Sequence, residues 1–255
     1  MPPLTDRTQI QNYLETDRPW SLYALGDLAP GFRERAEWHA ADGALILLYR
    51  AFETPVLFTL GPPDALRPLL NEIGGEREMY LSIRPEVLPL VKDGWSVRHE
   101  TRMWRMALDP ARFQPIHPPE VARLSLADLP ALQQLFADGQ PTGEAPDFFD
   151  SDMLAHGVFS GVWEGEQLVA VAGTHLVAPE LSVAAVGNVY TRRDRRGRGL
   201  AAHTTSAVTA GLLRITPRLR TIGLNVNQEN GAARRVYERL GYARYCAFYE
   251  GVAAK

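Results

Sequence analysis

The stretch Asn188-Val-Tyr-Thr-Arg-Arg-Asp-Arg-Arg-Gly-Arg-Gly-Leu-Ala201 constrains this chain more than any other. The residues leading into it read as a strand. Those after it place Ala201, Thr205, Val208, Leu212 and Ile215 on one face of a helix that stops before Pro217. A strand that passes through an Arg- and Gly-rich loop directly into a helix belongs to an α/β architecture. Gly197 and Gly199 let the loop curl tightly and come close to an anion. The first turn of the helix then offers N–H groups without intrahelical partners and roughly half a positive charge. Arg192, Arg193, Arg195, Arg196 and Arg198 add positive field, opposed within this stretch only by Asp194. The pattern is that of a phosphate cradle.

The cradle is a local feature of a mildly acidic molecule. The chain has 255 residues, a net charge of −3 and 45% hydrophobic residues, enough for one large domain or two ordinary ones. That charge balance argues against a general nucleic-acid binder. Cys246 is the single cysteine, which excludes an intrachain disulfide framework and a multi-cysteine zinc site; no metal is expected. The start, Met1-Pro-Pro-Leu-Thr-Asp, has neither the basic nor the apolar region of a signal peptide, and no apolar run approaches ~20 residues, so the expectation is a cytoplasmic protein without a membrane segment.

Pro110, Pro115, Pro118 and Pro119 break the chain between residues 109 and 119 and predict a linker, with domains at 1–112 and 118–255. In the second half the spacing predicts a strand over 121–126, a helix over 128–136 and a short helix near 147–156. A hairpin of 158–163 and 168–176 and a strand over 181–191 follow. Gly187 interrupts that last strand, the mark of a bulge or of a ligand's close approach. Ile222, Leu224 and Val226 alternate in a further strand. Asn230 is placed to cap the next helix, Gly241 to end it in the left-handed conformation, and 242–252 to close as a final strand or hairpin.

The first half has the same grain. Helices are expected over 7–16, 64–73 and 85–92, with irregular or helical structure through 27. Strands are expected over 36–39, 44–52, 55–60, 79–83 and 96–108. Gly94-Trp95 stands where Gly241-Tyr242 stands in the second half, but Gly61-Pro62-Pro63-Asp64 replaces the arginine–glycine loop. Those prolines lack N–H donors and Asp64 repels anions, so no cradle forms there. An ancient duplication with one half fallen silent and ordinary α/β similarity both account for this pattern.

Residues from about 120 to 252 resemble the GNAT superfamily of acyltransferases, in the order of elements and in two motifs. The segment Asp194-Arg-Arg-Gly-Arg-Gly199 is similar to the family's Gln/Arg-x-x-Gly-x-Gly/Ala loop, with Asp at the leading position. Asn230-Gly-Ala-Ala-Arg-Arg-Val-Tyr-Glu-Arg-Leu-Gly-Tyr242 is similar to its Asn-x-x-Ala-x-x-x-Tyr-Glu-x-x-Gly-Phe/Tyr segment. Val-Tyr-Thr before the loop resembles the glycine N-acyltransferase-like branch, in which some members carry two GNAT-like halves. The resemblance implies a mixed α/β sheet fold in tandem, with a degenerate N-terminal half and no nucleic-acid or membrane partner. The protein would be a monomer or homodimer that transfers an acetyl or similar group from acetyl-CoA to the amine of a small molecule or peptide.

By the same resemblance, Val189, Tyr190 and Thr191 would offer backbone groups to the pantetheine arm, with an N–H near Val189 for the acyl oxygen. Arg196, Gly197, Arg198, Gly199, Leu200 and Ala201 would bind the pyrophosphate, Asn230 would contact the cofactor arm, and Tyr237 would protonate the departing thiolate. A lysine-like amine of pKa ~10.4 costs about 4.6 kcal/mol to deprotonate at pH 7, an α-amine near ~8 only about 1.4. The family often places a carboxylate on the strand before the loop. This strand reads Ala184-Ala-Val-Gly-Asn188, without one, and His175 and Glu180 are the nearest candidates. Plainer roles stand beside these. Tyr237 shares a helical face with Ala233 and Leu240, Asn230 is a cap, and His175 is a strand histidine satisfied locally. His203 lies near the nucleotide end, and Cys246 is a small apolar residue in the last strand. A non-catalytic acyl-CoA-binding or protein-interaction module is the alternative function.

Overall fold

The computed structural model describes residues 2–116, 120–146, 148–216 and 218–255. Its helices are α1 Arg7–Glu15, α2 Leu22–Gly26, α3 Pro63–Glu72, α4 Leu88–Lys92, α5 Leu129–Ala137, α6 Ser151–His156, α7 Leu200–Ile215 and α8 Gly231–Arg239. Its strands are β1 Ala36–Ala41, β2 Ala44–Tyr49, β3 Val56–Leu60, β4 Glu78–Ile83, β5 Ser96–Leu108, β6 Ala122–Arg123, β7 Ser160–Glu164, β8 Gln167–Ala178, β9 Val183–Thr191, β10 Thr221–Asn227 and β11 Ala243–Ala254. The chain forms two compact units. One holds residues 1–105, 226–229 and 244–255, the other 106–225 and 230–243. No helix among the described residues is long and apolar enough to cross a membrane.

The first unit orders its strands β1-β2-β3-β4-β11-β5. β2 pairs antiparallel with β1 and β3, β3 runs parallel to β4, and the C-terminal strand β11 lies antiparallel to β4. Sequence alternation predicts that β11 exists but not that it joins residues 78–83, because strand partners are set by tertiary packing. A core of Ile46, Leu48, Leu57, Leu66, Leu69, Leu81, Val91 and Ala253 joins α3 and α4 to this sheet. Trp20, Tyr23 and Phe248 surround the guanidinium of Arg105, with ring centroids 5.3, 4.5 and 5.3 Å from its carbon. Arg105 is 1% exposed, and desolvation holds its pKa below the usual arginine range. The three ring faces offset part of that desolvation.

The second unit orders its strands β10-β9-β8-β7-β6, with β10 parallel to β9 and the rest antiparallel. α7 packs across β7, β8 and β9, and α5 and α6 pack on β8. Leu132, Leu135, Phe136, Leu154, Phe159, Val171 and Tyr190 form a core with α5 and α6. The strand expected over 121–126 is only Ala122–Arg123. Ser125 and Asp128 close a capping box, with Asp128 Oδ2 accepting from Ser125 N–H at 2.8 Å, and this turns the chain into α5. Of the expected linker, Ile116 is pinned to Ser206 by paired hydrogen bonds of 2.8 and 3.0 Å. Pro118 and Pro119 lie outside the described residues, as do Asp147 at the start of the expected short helix and Pro217 after α7.

Two glycines behave as their spacing predicts. Gly187 lies in β9 beside a shift of register, and Gly241 follows α8 with φ +98°. A methyl group on Gly241 would stand 2.3 Å from the carbonyl oxygen of Arg112. Gly241→Ala therefore combines a left-handed strain with a backbone clash, and it is expected to lower stability by about 2–4 kcal/mol. Urea denaturation read by tryptophan fluorescence checks this.

Candidate functional site

The β9–α7 connection makes a short helical turn at Arg193–Arg195 and then two left-handed glycines, Gly197 at φ +79° and Gly199 at φ +78°. A methyl on Gly197 would meet nothing within 4 Å, and on Gly199 only His203 Nε2 at 3.9 Å. The dihedrals, not crowding, call for glycine. Gly199 caps α7, and its carbonyl accepts from the N–H groups of Ala202 and His203 at 3.0 and 3.1 Å. Among the described residues, the N–H groups of Gly197, Arg198, Gly199, Leu200 and Ala201 find no hydrogen-bond acceptor. Five consecutive main-chain donors at the start of a 16-residue helix are an arrangement that can hold an anion with backbone alone.

The arginines are more fully opposed than the local sequence suggests. Arg192 binds both oxygens of Asp194, at 2.6 and 2.9 Å. Arg195 binds Asp194 and Glu164, each at 2.6 Å. Arg198 reaches Glu164 at 3.3 Å, and Arg196 reaches Glu144 at 2.7 Å. Asp138 accepts from Arg193 N–H at 3.1 Å and from the Tyr190 hydroxyl at 2.8 Å. Four carboxylates, not Asp194 alone, answer the five arginines. Arginine hydrogen bonds hold Asp194, Glu144 and Glu164 below the usual carboxylate range; for Asp138 the Arg193 N–H does so first, then Tyr190. Carboxylates so depressed stay ionised as pH falls through their ordinary range, and the clasp is lost only as pH falls through their lowered pKa values.

Beyond the clasp the two parallel strands of the unit, β9 and β10, part. β9 and β10 pair only at Val183–Thr221, Ala184–Ile222 and Ala185–Gly223. Past that rung the backbone from Val186 to Thr191 has no β10 partner, which leaves the β10-facing edge of β9 at Val189 and Thr191 outside the ladder, while Tyr190 pairs with Val171 of β8. The β8–β9 ladder is irregular at the same level. Val171 faces Tyr190 and Gly173 faces Gly187, so β9 holds an extra residue at 188–189. Thr174 faces Val186 and Leu176 faces Ala185, so β8 holds an extra residue at His175. The two bulges cancel and re-aim the side chains within them. The His175 ring lies on Gly187, where a methyl would come within 2.2 Å of its Nε2. Asn188 takes φ +51°, and its Oδ1 is buried without a partner, as is Thr191 Oγ1.

Tyr237 sits on α8, 6% exposed, its ring 6.3 Å from that of Tyr242 in a T-shaped pair. Asn230 Oδ1 accepts from Ala233 N–H at 2.9 Å, so the oxygen is committed to capping α8 and only the amide nitrogen is left to meet a ligand. The Tyr190 side chain turns to Asp138 and the Arg196 guanidinium, 5.6 Å from its ring. Glu180 is exposed in the turn Pro179–Leu181 that precedes β9, at the opposite end of that strand from the loop. His203 stands in the first turn of α7, one turn past Gly199. Cys246 lies on β11 of the first unit, its thiol pushed up by burial. Sequence reasoning missed Asp138, Glu144 and Glu164, which come from three separate segments, and Asn188, whose signal was its place after Gly187.

Residues 161–249 match the family model of FR47-like proteins, about a third of the chain. A comparison with curated proteins finds no match. Among solved structures, a protein assigned to the GNAT acetyltransferase family from Novosphingobium aromaticivorans is 24% identical with a TM-score of 0.64, covering 94% of this chain and 99% of its own. A Drosophila protein is 14% identical with a TM-score of 0.72, over 99% and 97% of the two chains. A tandem GNAT protein from the clavulanic acid biosynthesis pathway, solved without acetyl-CoA, is 14% identical with a TM-score of 0.58, again over 99% and 97%. The chain thus has the tandem GNAT fold.

An anion at this loop would meet both the open donors and the competing carboxylates, which separate substitutions resolve. Gly199→Ala is expected to weaken binding of inorganic pyrophosphate at least tenfold, since it disfavours the left-handed turn. The double substitution Glu144→Gln and Glu164→Gln is expected to tighten binding severalfold at low salt and much less at high salt. Calorimetric titration with pyrophosphate measures both.

Proposed function

We propose that this protein is an acyl-coenzyme-A-dependent N-acyltransferase that moves an acetyl or similar small acyl group to a primary amine of a small molecule or peptide. The observation that carries this reading is the row of five unpartnered N–H groups at residues 197–201, in a chain with the tandem GNAT fold. A diphosphate needs several donors that converge without side-chain competition, and Gly197 to Ala201 would supply them; the Arg196 N–H, expected from the sequence to join them, is instead turned to the Arg193 carbonyl at 3.4 Å. The stretch of β9 at Val189, Tyr190 and Thr191 would lie along the pantetheine arm. The amide nitrogen of Asn230 is left for a lesser contact. Acyl-CoA supplies an activated thioester carbonyl.

The chain's own residues then have three tasks. Main-chain N–H near Val189 stabilises the oxyanion that develops as the amine nitrogen bonds to the carbonyl carbon. Tyr237 gives its hydroxyl proton to the sulfur as the C–S bond breaks; a phenol near pKa ~10 is well matched to a departing thiolate. The surplus proton on the new amide nitrogen leaves to water. Attack is direct: Cys246, the single cysteine, is a poor nucleophile with its thiol raised by burial. The first unit is proposed to be catalytically silent, since Pro62 and Pro63 open α3 without donors.

The wild-type protein is expected to bind coenzyme A and to release free thiol from acetyl-CoA in the presence of amines. Tyr237→Phe should lower kcat about a hundredfold and leave coenzyme A affinity within twofold. Calorimetry and a thiol-release assay read the two separately. Binding without turnover, indifferent to Tyr237→Phe, would overturn the enzymatic reading.

A further inference from the structure

Among the described residues, Asn188 is the only non-glycine position with positive φ in the strands of the second unit. It is 3% exposed, and its Oδ1 has no hydrogen-bond partner. Its amide nitrogen meets only the Met153 sulfur, at 3.6 Å, a weak acceptor. A left-handed non-glycine residue inside a strand is strained, and a buried carbonyl oxygen without a donor is disfavoured. A fold keeps both in one side chain where function requires them. The bulge at 188–189 aims this side chain, and the β9–β10 ladder has already ended three residues earlier at Ala185, so Asn188 is next to the open edge at Val189.

We propose that the Asn188 carboxamide oxygen receives an N–H of the acceptor amine, and that the amine is taken in its neutral form. This rests on the N-acyltransferase reading. A carboxamide accepts a hydrogen bond but neutralises no charge, and an ammonium held there would be a buried unpaired ion. The charged groups on the neighbouring elements do not supply the missing anion. On α6, Asp152 and His156 are exposed and Asp150 caps the helix. Asp138, after α5, is bound to Tyr190 and Arg193. From β8 comes His175, whose ring lies on Gly187 and which carries no negative charge in either protonation state. Glu144, Glu164 and Asp194 are bound to arginines.

The site then selects amines by pKa. At pH 7 an α-amine near ~8 is neutral in roughly one molecule in ten, an ε-amine near ~10.4 in roughly one in 2,500. In the transfer, the neutral nitrogen forms the C–N bond, the C–S bond breaks, Tyr237 protonates the sulfur, and the nitrogen's surplus proton leaves to water.

The test is thiol release from acetyl-CoA with the amides of the amino acids as α-amines, and Nα-acetyl-lysine amide and butylamine as ε-type amines. The α-amines should lead by about a hundredfold in kcat/KM at pH 7, with the gap closing as pH approaches 10. Asn188→Gly keeps the left-handed backbone without strain, so its melting temperature should not fall. Its KM for the amine should rise at least tenfold while KM for acetyl-CoA stays unchanged. Asn188→Asp should narrow the gap at pH 7 by admitting the ammonium form. An amine KM unchanged in Asn188→Gly, or equal rates for the two amine classes at pH 7, overturns this inference while leaving the acyltransferase reading intact. A wild-type protein that binds coenzyme A and turns over none of these amines overturns both.

Discussion

Helix α7 begins with donors that no acceptor among the described residues satisfies, and the proposed anion site depends on that fact. Three other helices, α1, α6 and α8, close their first turns with side chains. Asp6 Oδ1 accepts from Thr8 and Gln9, Asp150 from Asp152, and Asn230 from Ala233. Each such cap stabilises its helix by roughly 1 kcal/mol. α7 is longer than any of these, yet it starts at Gly199, which has no side chain to offer. A Ser or Asp at that place would fill the donors from within. Glycine leaves them open, and the stability given up is what an incoming anion can restore.

The arginine–carboxylate clasp around the loop acts on that site in two ways. Its pairs lie mostly at the surface, where an ion pair is worth little and exchanges readily with solvent. They hold the loop's charges in place, and under the proposed function they would yield to a stronger anion. A phosphate group beside Arg196 or Arg198 competes with Glu144 or Glu164 for the same guanidinium. Net attraction therefore comes from the small surplus of positive charge together with the uncharged N–H row. The row does not titrate, so the core of the site is insensitive to pH while its rim is not.

What the sequence showed and what it hid divide along the range of the interactions. Gly241 ending α8, Asn230 capping it and Gly187 marking a bulge were legible because each is a local dihedral or hydrogen-bond rule acting within a few residues. The left-handed turn of Gly197 and Gly199 into α7 was legible for the same reason. Glu144 and Glu164 were not, since they reach Arg196 and Arg195 across 52 and 31 positions. β11 was recognisable as a strand, but its pairing with residues 78–83 joins segments 170 positions apart, as the Tyr80–Glu250 hydrogen bond shows. The carboxylate missing from β9 was noticed at once. The left-handed turn of Asn188 that stands at the same place was not, because no periodicity reports a φ angle.

The contrast between α7 and α3 shows how little is needed to silence such a site. Both helices follow a strand after a short loop containing a left-handed glycine, Gly199 in one and Gly61 at φ +118° in the other. At α3 the next two residues, Pro62 and Pro63, carry no N–H, Asp64 adds a negative charge, and Ala65 and Leu66 already donate to the Pro62 carbonyl. Replacing the prolines would return two donors, but not the space. A methyl at Gly61 would stand 2.7 Å from the Ala44 backbone, whereas Gly197 has nothing within 4 Å. The loop at α3 is packed against its own sheet, and the loop at α7 stands clear. Donors alone do not make an anion site; they must also face unoccupied space, and only the second unit's loop combines the two.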